Sequence, residues 1–237
     1  FTLSVDGVGK VHELVRGIPN AFVRTKKILD EIAENMKKYC DSMTVGCTIS
    51  KHNVAYLIET ESFLSNYDFN VEYHLAVPNK RIHTFDNTDY SVLSDERAKN
   101  LAIEFFYGRF LATKNKFEKF RSFASYYYLK NNGRGRLSQC GYVYRDITID
   151  ENLNIYLCAT ASDVIGNLNE FSASLLNKNG GMKSMQVQIC KCCDTCIHYV
   201  GTLTLEGYFI ALWGYFYHFV FLWKIKYKIF ALWQRLR

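Results

Sequence analysis

Six of the eight cysteines of this chain lie in one stretch, residues 138–199. Between the first two, the run RDITIDENLNIYL alternates, turns through acidic and polar residues and alternates again, which predicts a β-hairpin. The hairpin would bring its two outer cysteines together, and a compact group with C-x2-C spacing follows further along the chain. These thiols predict a metal centre; they are Cys140, Cys158, Cys190, Cys192, Cys193 and Cys196.

Two kinds of metal centre fit this spacing. Iron–sulfur clusters are held by four thiolates that converge from separate segments, and zinc also takes four cysteines in tetrahedral geometry. Cys192 is the member of the group that we expect to be spare, and His198 is a further candidate ligand. Cys40 and Cys47 are expected to have no role at the metal, and Cys47 lies on the apolar side of a strand pattern, which favours a core position.

Composition and charge exclude some classes of function. Of the 237 residues, 49% are hydrophobic and 22% are charged, which is typical of a globular protein. The net charge is +6, but the basic residues form no clusters across a domain face, so we expect no nucleic-acid partner. Crowded cysteines and a start unlike a secretory signal favour a reducing compartment over disulfides, so a cytoplasmic protein is expected.

The first half of the chain alternates strand patterns with helix patterns. The predicted order is a strand at 1–6, a loop at 7–20, a helix at 20–39, a strand at 42–50, a helix at 54–66 and a strand at 69–77. This order predicts a parallel sheet. Each strand keeps one more polar face, which indicates a barrel or half-barrel whose lumen holds a polar ligand, with a strand pair solvated on one face as the alternative. Glu72 and His74 share that polar face, where they could contact substrate or make a structural hydrogen bond.

Two aromatic helices are predicted at 95–112 and 114–130, with their aromatic stripes in the core. The turn NNGRG at 131–135 is the expected domain boundary. The predicted division is therefore a sheet unit at 1–130, a cysteine-rich module at 131–204 and a C-terminal helix at 205–237.

The C-terminal stretch 208–223 is aromatic and carries no charged side chain, and five basic and no acidic residues follow it. It is shorter than the ~20 residues of a spanning helix. Aromatic residues and cations at the end of an apolar segment suit a helix that lies in a membrane surface through 208–237. A helix packed on the sheet unit or on a partner is the alternative.

Several of these motifs resemble radical S-adenosylmethionine enzymes. The segment SVDGVGKVHELVRGIPNAFVRTKKILDEI resembles the fourth strand and following helix of their partial (β/α) barrel, and VGCTISKHNVAYL resembles the fifth strand and its helix. The hairpin TIDENLNIYLC, the segment VIGNLNEFS and the closing cysteines resemble the SPASM module that many of these enzymes carry. The resemblance implies an α/β fold: a partial barrel, a small SPASM-like module and a C-terminal aromatic helix.

The resemblance also implies chemistry. Such enzymes bind S-adenosylmethionine (AdoMet) at a [4Fe–4S] cluster held by CxxxCxxC and cleave it reductively to a 5′-deoxyadenosyl radical, which abstracts a substrate hydrogen. The resemblance further implies an electron donor of the flavodoxin or ferredoxin type and a peptide or small-molecule substrate. Neither CxxxCxxC nor the family's GGE-like motif occurs in this sequence. We therefore expect a fragment, inactive alone, that starts at strand four and lacks about 100 residues in three βα units; a degenerate relative is the alternative.

Site residues follow from the resemblance, position by position. Ser4 and Asp6 would face the ribose or methionine part of AdoMet, and Arg16 and Thr48 would help to hold it. The auxiliary cluster ligands fall on Cys140, Cys158, Cys190, Cys193 and Cys196.

The sequence departs from the family in two respects. The family's DGxxYPC is here NLNIYLC, with Leu153 at the glycine position and Leu157 at the proline position. The closing cysteine group is compact, which favours one auxiliary cluster over two. The alternative function is a non-catalytic zinc- or iron–sulfur-binding module that is membrane-associated and recruits a partner.

Overall fold

The structure, a computed structural model, describes residues 1–77, 89–138, 140, 142, 146–160, 162–170, 196–197 and 205–216. The strands are β1 (Thr2–Ser4), β2 (Thr44–Ile49), β3 (Asn70–Leu75), β4 (Thr148–Ile149), β5 (Asn154–Tyr156) and β6 (Val164–Asn167). The α-helices are α1 (Lys10–Arg16), α2 (Ala21–Tyr39), α3 (Leu57–Leu64), α4 (Glu96–Ala112), α5 (Lys116–Lys130) and α6 (Leu205–Phe216).

The first three strands form a parallel sheet in the order β1-β2-β3. Helices follow β1 and β2 before the next parallel strand, as a parallel connection requires. The predicted βα order and the mixed α/β class are therefore confirmed. Closure into a partial barrel and the division into three units stay predictions.

One face of this sheet is buried under helices. The alternating residues Val5, Val45 and Cys47 point to it and are fully buried. Leu29 of α2 packs against Val5 and Val45 in one part of the core, and Phe106 of α4 packs in a second part with Cys47. The core position predicted for Cys47 is confirmed. The opposite face of the sheet carries the polar residues of each strand.

The loop predicted at 7–20 is wrong in part, because α1 occupies Lys10–Arg16. Gly9 (φ 56°) precedes the helix and Gly17 (φ 65°) ends it in the left-handed conformation. Glycine is typical after the last turn of a helix, but in the sequence two glycines eight positions apart are equally typical of a loop. A buried side chain, His12, holds the short helix against the sheet.

The predicted hairpin is confirmed, and a third strand that was not predicted pairs with it. β4 pairs with β5 in antiparallel register, and β5 also pairs with β6, so three strands form this small sheet. Ile197, which follows Cys196, is buried in the core under the parallel sheet with Leu129 of α5. The cysteine-rich region thus contacts the sheet unit directly.

Helix α6 packs on the sheet unit. Ile210 and Ala211 contact the cluster formed by Phe110 and Phe123, while Phe209 stays exposed. In the described part of the chain, no helix has both the length and the apolar character needed to span a bilayer. Residues 217–237 lie outside the described residues, and membrane contact through 208–237 stays a prediction.

Candidate functional site

The polar face of the parallel sheet brings five predicted site residues together. Strand register places Ser4 beside Gly46 and Gly46 beside Glu72, and it places Thr48 beside His74. Asp6 follows β1 and accepts a hydrogen bond from the Thr48 N–H at 2.8 Å. The predicted residues therefore form two neighbouring rows across the sheet: Ser4, Asp6, Thr48, Glu72 and His74.

Asp6 is buried and both of its carboxylate oxygens are engaged. One oxygen accepts from the Thr48 N–H, and the other pairs with Arg16 Nη2 at 2.6 Å. Only 1% of the Asp6 side chain is exposed, against 36% of the Arg16 side chain. Asp6 therefore orients the Arg16 guanidinium, and Arg16, Ser4 and Thr48 are the groups that remain accessible to a ligand.

A buried histidine supports this pair. His12 Nδ1 accepts from the Asp6 N–H at 3.1 Å, and Nε2 lies 3.3 Å from Thr25 Oγ1. The first contact needs a lone pair on Nδ1, so the imidazole is neutral and carries its proton on Nε2. Burial lowers the pKa of His12, and the nearby Asp6 carboxylate opposes this effect.

Asn53 ties the ends of the first two strands together. Its Nδ2 donates to Asp6 O at 2.7 Å and to Thr48 O at 2.8 Å, and its Oδ1 accepts from the Ser50 N–H at 2.7 Å. Sequence reasoning missed Asn53 and His12. Each is a polar side chain close behind a strand end, which was the available signal.

Arg121 of α5 also reaches the polar face. Its Nη1 lies 3.1 Å from Glu72 Oε1, and its Nη2 lies 3.4 Å from His74 Nδ1. His74 Nε2 in turn lies 3.3 Å from Glu72 Oε2. Glu72 and His74 thus form a triad with a guanidinium that sequence spacing did not indicate. Arg121 Nη1 also lies 3.4 Å from Glu118 Oε1, so its charge is shared between two glutamates.

Three of the predicted metal ligands lie among the described residues. Cys140 and Cys158 are buried and Cys196 is half-buried. Burial raises the pKa of the Cys140 thiol and is the largest effect. The Arg136 charge lowers this pKa, and the charges of Cys196 and Cys158 raise it. Cys190, Cys192, Cys193 and His198 lie outside the described residues.

The donors around these thiols suit a thiolate centre. The Thr160 N–H donates to Cys158 Sγ at 3.4 Å, and hydrogen bonds to sulfur are typical of iron–sulfur ligands. Within the described ranges, no group of three histidine, cysteine or acidic side chains is close enough to hold a metal ion. Metal binding by the predicted cysteine ligands therefore stays a prediction.

Comparison with solved structures finds a match over nearly the whole chain. The structure of native anSMEcpe with bound AdoMet and Cp18Cys peptide is 17% identical, with 95% of this chain and 68% of that chain covered and a TM-score of 0.50. Native anSMEcpe with bound AdoMet is 18% identical, covers 95% of this chain and 67% of that chain, and also has a TM-score of 0.50. Comparisons with protein-family models and with curated proteins give no match.

The matched protein anSME is an anaerobic sulfatase-maturating radical SAM enzyme of the SPASM type. At this identity the likeness concerns the fold, over 95% of this chain. The predicted relationship is confirmed at that level: this chain shares the fold of a SPASM-type radical S-adenosylmethionine enzyme.

Proposed function

We propose that this chain forms part of a radical S-adenosylmethionine enzyme, an oxidoreductase that contains an auxiliary [4Fe–4S] cluster. The observation that carries the proposal is the polar face, where the residues predicted to contact AdoMet and substrate lie in adjacent rows of one sheet. The likeness to structures with bound AdoMet supports it.

The chain's own residues would bind and orient AdoMet. Arg16, held by Asp6, offers a cation to the methionine carboxylate, since a guanidinium matches the geometry of a carboxylate. The exposed side chains of Ser4 and Thr48 offer hydroxyls to the ribose or methionine part. AdoMet bound at a reduced cluster supplies a carbon radical that abstracts hydrogen; the CxxxCxxC ligands of that cluster are not among the 237 residues.

The substrate would lie at the β3 side of the polar face. Glu72, His74 and Arg121 provide a hydrogen-bonding surface there, next to the residues assigned to AdoMet. The peptide bound in the anSMEcpe structure favours a peptide substrate over a small molecule. The electron donor would be of the flavodoxin or ferredoxin type.

The auxiliary cluster would be held by cysteines of the hairpin and the closing group. Cys140, Cys158 and Cys196 are the described ligands, and Cys190 and Cys193 would complete the set. Four thiolates are enough for one [4Fe–4S] cluster. The Thr160 N–H donates to Cys158 Sγ at 3.4 Å, and the Arg136 charge opposes the burial that raises the pKa of Cys140.

Titration of the ¹⁵N-labelled chain with AdoMet tests the polar face. We expect amide shifts at Ser4, Gly46 and Thr48, and a roughly tenfold or greater loss of affinity in Arg16→Gln, because a hydrogen bond between charged groups contributes about 1.5–3 kcal/mol. Arg16→Lys keeps the charge and should lose less. Arg24→Gln is the control, since Arg24 is exposed and donates to Pro19 O. Shifts that avoid the polar face, or equal affinity in Arg16→Gln, would contradict the proposal.

A further inference from the structure

Helix α6 carries a second apolar face, which is exposed. Its large apolar residues recur at positions i, i+3, i+4, i+7 and i+8, which is the spacing of residues on one face of a helix. Each of them is between 46% and 76% exposed. We call these residues the outer face of α6; they are Leu205, Tyr208, Phe209, Leu212 and Trp213.

The inner face of the same helix is occupied by the protein itself. Ile210 and Ala211 pack against the cluster that contains Phe110 and Phe123, and Gly214 lies so close to the Phe123 ring that a side chain would not fit there. The helix therefore cannot turn its outer face inwards without losing this packing. A helix that is apolar all round is typical of an apolar environment on every side, and an exposed apolar patch indicates a contact surface.

The charge of the sequence indicates what this surface contacts. Residues 207–237 contain five basic and no acidic residues, so their net charge is +5 with histidine neutral. Lys119 of α5 is a further cation, and its Nζ lies 5.9 Å from the ring centroid of Phe110, in the cluster against which α6 packs. Such a charge is complementary to an anionic surface. A second copy of this chain would bring the same positive charge to the contact, which disfavours self-association.

The residue types of the outer face fit lipid in particular. Tyr208 and Trp213 are of the two types that are enriched where a bilayer meets water, because each ring is apolar and carries one polar atom. Phe209 and Leu212 are of the types that enter the acyl boundary beneath the head groups. Stable attachment to a membrane generally needs two signals, and an apolar face combined with basic residues supplies both.

We propose that the outer face of α6 inserts into the surface of an anionic lipid bilayer. The inner face holds the helix on α4 and α5, so the helix attaches the folded protein to the membrane without crossing it. This inference goes beyond the proposed function and does not depend on AdoMet or on the auxiliary cluster. Its failure would leave the proposed function unchanged.

The test is flotation of the whole 237-residue chain with phosphatidylcholine vesicles that either contain or lack phosphatidylserine. We expect the wild type to bind the vesicles with phosphatidylserine about tenfold more tightly, and this binding to weaken as salt is added. Phe209→Ser/Leu212→Ser should lower the partition coefficient by about tenfold or more, because it removes apolar area from the contact. Leu14→Ser/Ile58→Ser is the matched control, since it changes two similarly exposed apolar residues on α1 and α3 and should bind like the wild type.

A second measurement does not require the double variant to fold. Brominated acyl chains quench the emission of tryptophans that enter the bilayer. We expect the wild type to lose more emission than Trp213→Phe in the same vesicles, since Trp213 belongs to the outer face.

Four results would overturn the inference. They are a folded Phe209→Ser/Leu212→Ser variant that floats like the wild type, an equal loss of emission in the wild type and Trp213→Phe, a wild type that does not float, and a wild type that binds both kinds of vesicle equally. Dimerisation of a wild type that does not float, abolished in Phe209→Ser/Leu212→Ser, would assign the outer face to a second copy of the chain instead.

Discussion

Leu153 holds a backbone conformation that leucine rarely adopts. Its φ of 63° lies in the left-handed region, at the hairpin position where the resembled motif has glycine. The Leu153 N–H donates to Asp150 O, and the Asp150 carboxylate accepts from the Asn152 and Asn154 N–H groups. These bonds form a turn that needs a left-handed residue next to β5, and the chain meets that need with a side chain that costs about 1–2 kcal/mol there.

Leu153→Gly should therefore be more stable than Leu153→Ala. Both variants lose the leucine side chain, but only glycine relieves the left-handed strain, so we expect a difference of about 1 kcal/mol in the free energy of unfolding. Urea denaturation of the two variants and the wild type measures this difference. An alanine variant at least as stable as the glycine variant would show that the turn is not strained.

His12 makes stability depend on pH near neutrality. Its pKa is lowered by burial from 6.5, so below that pH the unfolded chain binds a proton that the folded chain resists. The stability from neutral His12 is complete above pH 6.5 and is lost as pH falls towards the folded-state pKa. The loss has an upper bound of about 1.4 kcal/mol per pH unit.

His12→Asn should flatten this dependence. Asparagine can keep an acceptor for the Asp6 N–H and does not titrate. We expect the wild type and a His52→Asn control, which changes an exposed histidine, to lose stability between about pH 7 and pH 5.5 more steeply than His12→Asn. Thermal unfolding across this range checks it, and parallel curves for all three proteins would contradict the assignment.

At the scale of elements, α6 lies against α5 through a glycine. A Cβ added at Gly214 would lie 2.2 Å from the Phe123 ring, so the two helices approach closely only because residue 214 has no side chain. A Cβ added at Gly108, within α4, would meet nothing within 4 Å. Gly108 and Gly214 both lie in helices, and they differ in whether an added side chain would meet a neighbouring residue.

Gly214→Ala should destabilise the protein, while Gly108→Ala should not. The first forces Phe123 or α6 to move, at a cost of about 1–3 kcal/mol. The second improves helix propensity by about 0.5–1 kcal/mol and makes no contact. Differential scanning calorimetry measures both changes. Equal effects of the two substitutions would mean that α6 does not pack on α5 as described.

The main elements could be predicted because their periodicity is regular. Apolar residues at every second position mark β1 to β3, and helical stripes mark α2, α4 and α5, each supported by burial. The short helix α1 was missed because seven residues are only two helical turns, and strand β6 was missed because its four residues, VIGN, do not alternate between apolar and polar. These short elements are stabilised by the residues that pack against them, and the sequence does not show which residues those are.

The candidate site could be predicted only in part, because some of its contacts join residues that are far apart in the sequence. Ser4, Thr48, Glu72 and His74 share a face because strand alternation dictates it. The buried position of Asp6 between Thr48 and Arg16 depends on the fold of α1, and Arg121 reaches Glu72 from a helix outside the sheet. Such pairs leave no local pattern in a single sequence.

At the scale of the whole molecule, the described part of the cysteine-rich region packs against the unit that contains the parallel sheet. Ile197 anchors the closing cysteine segment in the main core, and Arg136 links that segment to the start of the hairpin region. A cluster formed at the cysteines would therefore add ligand bonds between segments that the core already holds near each other. This arrangement predicts that cluster assembly and folding of the cysteine region stabilise each other.

The most direct measurement is the iron and acid-labile sulfide content of the 237-residue chain after anaerobic reconstitution. We predict about four irons and four sulfides per chain, as one [4Fe–4S] cluster requires. The Cys140→Ala/Cys158→Ala variant should lose them, while Cys40→Ala, which changes a thiol at the end of α2, should keep them. Stoichiometric zinc without sulfide, or full iron content in the double variant, would contradict the auxiliary cluster and favour a zinc-binding module or a different ligand set.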